Sequence, residues 1–361
     1  MYWSPVGGGV SRYLRAKRAW VIDRGRASGW RHSWVVSGPC EGAGRQIGGL
    51  RLPASGGYRF PLNRRQGARL LAQLAPDLIE SGDPFRLAWS ALDAAQQRSV
   101  PAVAFCHTNL AVEARRWLGR PGARATQRYL RHLLAEFDLV LAASEWMYGE
   151  LHELGLRNVV LQPLGVDLAR FRPSRRDPEW KRGLGIPEHT TVLLYAGRFA
   201  PEKNLRALCN MVERLGDDYL LIAQGAGPCP PSGPRVRVLP YEASVDAVAR
   251  TLASADIFVH AGDSETFGLA PLEALACGTP VVVPACGGLA DLADGDSAVG
   301  VADVGAAALA EAVRSLRQRD ADELRAAARR RAEAFDQQRM FAQQFDRYAA
   351  LCDRTQPEVR G

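Results

Sequence analysis

Two glutamates eight residues apart, Glu265 and Glu273, stand in the stretch ETFGLAPLEALACGTPVVV, which runs to Val283 behind the apolar run IFVHAGDS. The apolar spacing predicts a helix with Glu265 just ahead of it and Glu273 in its second turn. At its start the N–H groups of Phe267, Gly268 and Leu269 lack partners within the helix, and Gly268 lets an anion approach closely. A phosphate suits that point. The carboxylates around it suit hydroxyls, because an ionised Glu can accept two hydrogen bonds from a vicinal diol. Phosphate flanked by diols describes a nucleotide sugar. A lone pair of glutamates at this spacing is more often an ordinary helix start favoured by the dipole. The CGTPVVV run that follows, and the turn at Gly287 and Gly288, make the whole string specific.

That string resembles the donor-site signature of the retaining family 4 glycosyltransferases, whose fold is the two-domain GT-B arrangement. Tyr195 to Asn204, YAGRFAPEKN, resembles a second element of the family, in which an Arg and a Lys hold the donor diphosphate; here these are Arg198 and Lys203. Two cations just past a strand end could offset the charges of a diphosphate and stabilise the leaving nucleotide. Only three of the 46 basic residues are Lys (17, 181 and 203), so Lys203 stands out in a chain biased toward Arg. Gly7, Gly8 and Gly9, ahead of helical sequence, resemble the family's N-terminal glycine loop, which approaches the sugar and diphosphate. His107, directly after AVAFC, matches the strand-end His near the donor sugar. By the same resemblance Glu265 contacts sugar hydroxyls and Glu273 the ribose. A simple turn competes for the glycines and a backbone-satisfied ring for His107. His260 and Asp83, at similar strand ends, read as structural, and Cys277 and Cys286 as packing residues.

The elements that must position these residues alternate. Apolar runs near 32–37, 77–81, 102–106, 138–142 and 158–162 read as strands, with helices between most of them. The pattern repeats near 191–196, 219–223, 236–239, 257–260, 281–283 and 298–301. Such alternation predicts an α/β chain with two doubly wound, Rossmann-like parallel sheets. Residues 163–187 are rich in Gly, Pro and charge and mark the hinge. The expected division is therefore 1–163 as an acceptor-side domain and 164–335 as a donor-binding domain. The last helix, from about 336, is expected to return to the first domain. Ligands of open α/β sheets sit beyond the carboxyl ends of strands, so a cleft between the two is the natural site.

With 361 residues, 47% hydrophobic and 24% charged, the composition is that of a globular two-domain chain and excludes collagen, coiled coil and disorder. No apolar run approaches the roughly 18 residues of a spanning helix, and MYWSPVGGG lacks the features of a signal peptide. A cytoplasmic protein is expected, with peripheral attachment to the inner face of the membrane. Seven cysteines with no close CxxC pair support neither disulfides nor zinc. The family begins with a buried strand ahead of the glycine loop, whereas only MYWSP precedes Val6 and Gly7 here. The expectation is an in-frame upstream extension of about ten residues rich in Val, Ile and Leu.

Charge is uneven: residues 1–163 carry 22 basic and 12 acidic side chains, a net +10, and the remainder 24 and 27, a net −3. Nucleic acid is not the expected partner, since no helix-turn-helix, zinc or RNP-type pattern accompanies the basic half. In Gly122 to Asp138, Arg124, Arg128 and Arg131 share one helical face opposite Tyr129, Leu130, Leu133, Leu134 and Phe137. A solvated surface face is the plain account. The functional one is contact with an anionic membrane or a lipid-diphosphate acceptor. Taken with the resemblance, the expectation is metal-independent hexosyl transfer from GDP-mannose or a UDP-hexose to a hydroxyl of a lipid-linked or other glycan acceptor. No cofactor is expected, because no DxD-type pair sits at a strand end and two cations do the work of a metal. A phosphorylase or nucleotide-sugar epimerase on the same fold, and a non-catalytic basic binding module, are the competing classes.

Overall fold

The computed structural model describes residues 8–38, 44–51 and 59–355. The chain divides into two compact units, Met1–Pro163 with Met340–Gly361, and Leu164–Arg339. Gly7, the residues before it and Cys40 lie outside the described residues.

In the first unit α1 (Gly9–Asp23) precedes four short strands, β1 (Val35–Val36), β2 (Arg45–Gln46), β3 (Gly49–Arg51) and β4 (Arg59–Pro61). There follow α2 (Arg64–Gln73), β5 (Ile79–Ser81), α3 (Arg86–Arg98), β6 (Ala102–Cys106), α4 (Leu110–Leu134), β7 (Leu139–Ala142), α5 (Glu145–Glu153) and β8 (Val159–Leu161). Strands β5 to β8 pair in sequence order as a parallel sheet, while β1, among the described residues, pairs with β2 alone. Of the strand expected at 32–37, Val35–Val36 pair with Arg45–Gln46 among the described residues. The helix expected at 122–138 is the part of α4 after the kink at Gly119; the part before it is capped by Asn109, whose Oδ1 accepts from Val112 N at 3.2 Å. Leu130, Leu133 and Leu134 are buried in the core, and Phe137, beyond the helix end, is buried there too.

The second unit holds α6 (Trp180–Gly183), β9 (Thr191–Ala196), α7 (Leu205–Leu215), β10 (Tyr219–Gln224), β11 (Val236–Leu239), α8 (Val245–Ser254) and β12 (Ile257–Val259). It continues through α9 (Leu269–Ala276), β13 (Val281–Pro284), β14 (Ala298–Val301), α10 (Ala306–Arg317) and α11 (Ala321–Glu333). Its six strands are all parallel, in the order β11-β10-β9-β12-β13-β14. Sheets covered by helices on both faces need strands apolar on both sides, and TVLLYA and VVVP are nearly buried throughout. Helix α7 supplies Leu205, Leu208, Met211 and Val212 to this core, a helical stripe of spacing three and four.

The last helix, α12 (Gln337–Thr355), belongs to the first unit from Met340 on. Phe341, Gln344, Phe345 and Tyr348 form its buried stripe. Trp20 stacks on Phe345 with ring centroids 4.9 Å apart. Beneath these rings lies a closed polar chain. Tyr13 donates to Gln344 Oε1 at 2.8 Å, Gln344 Nε2 donates to the Tyr348 hydroxyl at 2.6 Å, and Tyr348 donates to Glu80. Lys17, 2% exposed, closes it with an ion pair to Glu80 at 2.5 Å. Among the described residues no helix is long and apolar enough to cross a membrane.

Candidate functional site

The order of the second sheet decides where its loops can work. The chain leaves β9 for β10 and β11 on one side, and continues from β12 to β13 and β14 on the other. Strands β9 and β12 are neighbours, so the order reverses between them, and such a reversal opens a crevice at the carboxyl ends. The loop after β9 carries Arg198 and Lys203; the loop after β12 carries Glu265.

Lys203 Nζ ion-pairs with Glu265 Oε1 across 62 residues of sequence. Gly262 permits the approach: a Cβ there would come within 2.8 Å of the Glu202 carbonyl oxygen and 3.3 Å of Lys203 Cα. The Glu265 carbonyl is held in turn by Gly288 N at 2.7 Å, which gives the Gly287-Gly288 turn its place. His260, read from sequence as structural, touches the same carboxylate, its Nε2 lying 3.3 Å from Glu265 Oε1. Its Nδ1 accepts from Gly262 N at 3.1 Å, so the ring proton sits on Nε2 and faces Glu265. The only sequence signal for this was its place at the strand end five residues before Glu265. Tyr195, buried, donates to the Arg198 carbonyl at 2.9 Å and fixes the backbone of the cationic loop.

Burial favours a protonated Glu265, but the Lys203 ammonium and His260 outweigh it and hold the carboxyl well below the usual range. The group is therefore an acceptor at neutral pH. Because its folded pKa lies below the unfolded value, its ionisation stabilises the fold above about pH 4.3 and that contribution fades as pH falls through the folded value. Glu265→Gln is expected to lower the urea midpoint at pH 7, with the gap to wild type narrowing toward pH 3. A gap constant over that range would contradict the depressed pKa.

Glu273 lies in the second turn of α9 and is 7% exposed. Gly268 is the N-cap, left-handed at φ +98°, where a Cβ would strike Leu289 at 2.3 Å. The helix has no side-chain cap, and Leu269 is its first residue. The Phe267 ring is buried edge-on to Phe335, 5.8 Å between centroids. Arg198, by contrast, is 67% exposed and ion-paired with Glu202. Only the Arg198 side of this pair is exposed, so the guanidinium stands at the surface where another anion can reach it. The scarcity of lysine that drew attention to Lys203 marks the other two lysines as well. Lys17 pairs with Glu80, and Lys181 with Asp256 at 2.8 Å, so what lysine marks in this chain is a compact ammonium in a largely buried ion pair.

In the first unit Gly8 is the N-cap of α1 at φ +114° and Gly9 its first residue. His107 sits at the exit of β6, stacked on Phe105 at 4.2 Å and tilted against Tyr13 at 5.1 Å. Burial, opposed by Glu80, pushes its pKa down to about 3, so the ring is neutral in the physiological range. Asp83 closes a local turn, accepting from Phe85 N at 3.0 Å. Cys277 is buried, its thiol pushed up to about 12 mainly by burial. Cys286 departs from the packing role expected of it: it is exposed, two residues beyond the end of β13. Arg124, Arg128 and Arg131 are all exposed on α4.

Two parallel α/β units, one with cations and carboxylates gathered at a sheet reversal, define a glycosyltransferase of the GT-B fold. Sucrose-phosphate synthase from Thermosynechococcus elongatus has the same fold, with a TM-score of 0.77 at 20% identity over 96% of this chain and 94% of that one. The profile "Glycosyltransferase Family 4" matches residues 7–170, and "Glycosyl transferases group 1" matches residues 190–319. The GDP-mannose-dependent alpha-(1-6)-phosphatidylinositol dimannoside mannosyltransferase of Mycobacterium tuberculosis is 34% identical over 311 residues, covering 81% of this chain and 78% of that protein. A GDP-mannose-dependent alpha-mannosyltransferase of Mycolicibacterium smegmatis is 34% identical over 225 residues, 60% of this chain and 58% of that one. The chain belongs to the family 4 glycosyltransferases and uses a nucleotide sugar as donor.

Proposed function

We propose that this enzyme transfers mannose from GDP-mannose, with retention of configuration, to a hydroxyl of a lipid-linked acceptor. The observation that carries the reading is the Lys203–Glu265 pair at the sheet reversal, on the loop that leads into the Glu273 helix. It sets a cation for a diphosphate beside an ionised carboxylate for sugar hydroxyls, the two chemistries of one donor. Lys203 and Arg198, with the amides of Phe267, Gly268 and Leu269, would hold the diphosphate. Glu265, oriented by His260, would accept from the sugar, and Glu273 from the ribose. Gly8, Gly9 and His107 match the family's donor-sugar elements and are proposed for that role. Transfer would break the bond between the anomeric carbon and the diphosphate oxygen on the face where the acceptor oxygen bonds, the departing phosphate taking the acceptor proton.

Mannose and guanosine are favoured by the relatives, whose names specify GDP-mannose. The lipid acceptor is favoured by the phosphatidylinositol dimannoside of one of them and by the exposed Arg124, Arg128 and Arg131 in the basic part of the chain, which would meet an anionic membrane. A melting panel with GDP, UDP and ADP tests the donor. Ligand at one hundred times its Kd adds about 2.7 kcal/mol, a rise of several degrees, expected with GDP and absent with ADP. A larger rise with UDP would replace mannose by a UDP-hexose.

A further inference from the structure

We infer that the bend of α4 is a membrane-insertion element, with Trp117 and Leu118 entering the interface of an anionic bilayer and Arg115, Arg116 and Arg120 meeting its phosphates. Gly119, at φ +65° and ψ −163°, breaks the helical geometry inside α4, and Pro121 follows. The bend is tight: a Cβ on Gly122 would lie 2.3 Å from that of Leu118. All seven residues from Arg115 to Pro121 are exposed, Trp117 by 76% and Leu118 by 68%. The apolar stripe of the second half of α4 is spent on the core, where Leu130, Leu133 and Leu134 are buried. Trp117 and Leu118 therefore form a separate apolar knuckle.

Its surroundings select the occupant. Residues 114–135 contain six arginines, all exposed, and no carboxylate; Arg116 is 3.8 Å from Glu113 at the edge of this stretch. A tryptophan among guanidinium groups matches the layered chemistry of a bilayer surface, with phosphates outside and an amphipathic ring at the headgroup level. Insertion adds to the electrostatic attachment proposed above an apolar contact that salt does not screen. The inference deepens the membrane reading and is independent of the donor.

Sedimentation with vesicles of phosphatidylcholine containing 30% phosphatidylglycerol, against phosphatidylcholine alone, tests it on the full chain. Wild type is expected to bind the anionic vesicles and to keep part of that binding at about 0.5 M salt. Trp117→Ser with Leu118→Ser should cut the bound fraction about tenfold and abolish the salt-resistant part, with the GDP melting shift unchanged. Arg124→Glu, Arg128→Glu and Arg131→Glu together should weaken binding at low salt. Unchanged binding of the Trp117/Leu118 variant, equal binding to neutral vesicles, or no binding by wild type would each overturn the inference. Vesicle binding without any GDP shift would support it while removing the donor reading.

Discussion

Lys203→Ala and Glu273→Ala are each expected to reduce sugar transfer by roughly 100-fold or more, the scale on which loss of one contact to developing charge is felt. Lys203 is paired with Glu265. On the proposed reading, a diphosphate would compete for that ammonium and so free the Glu265 carboxylate toward the sugar. Lys203→Ala removes the cation and leaves Glu265 only His260. Its pKa should then rise, because burial is no longer outweighed. Arg198→Ala should cost less than Lys203→Ala, since that guanidinium is at the surface. The measurement is kcat/KM with labelled donor, beside a circular dichroism melt that verifies the fold. Wild-type rates in both the Lys203 and the Glu273 variants would remove the site assignment.

The largest expected loss of stability lies in the first unit, far from these residues in sequence. Lys17→Ala should destabilise it by about 3–5 kcal/mol, the cost of leaving a buried charge without its partner. That is a large share of the 5–15 kcal/mol of a typical domain. Glu80 is the group stranded. Burial alone would favour its protonation, and the Lys17 ammonium together with the Tyr348 hydroxyl holds its carboxyl below the usual range. The ionised form therefore stabilises the unit above about pH 4.3 and ceases to do so as pH falls through the folded value. Replacing both, Lys17→Met with Glu80→Leu, should recover much of the loss, since no charge remains buried. Urea unfolding of the two variants at pH 7 checks this. Equal stability of Lys17→Ala and wild type would mean that the polar chain does not hold α12.

What the sequence alone determined is what depends on neighbours a few residues away. The strands of the second unit were legible because a strand covered on both faces must be an uninterrupted apolar run, as in TVLLYA and VVVP. The Gly-containing stretches around Arg198, Lys203, Glu265 and Glu273 were legible as chemistry because their residue types do not suit a core. The short strands β2 to β4 were not, since their two- and three-residue ladders depend on the partner and leave no period to read. The helical face read in Gly122 to Asp138 was legible because it is a local period, and the backbone does break just ahead of it, at Gly119.

Only the tertiary structure decided the pairings. Lys203 meets Glu265 because β9 lies beside β12, an order that no local signal encodes. His260 is drawn in by Gly262, which accepts no side chain against the Glu202 backbone. Tyr13 meets Gln344 across 331 residues because the chain end returns to the first unit. A charged or polar group chooses its partner by where the backbone places it once the apolar surfaces are buried, and that choice is made by the whole fold.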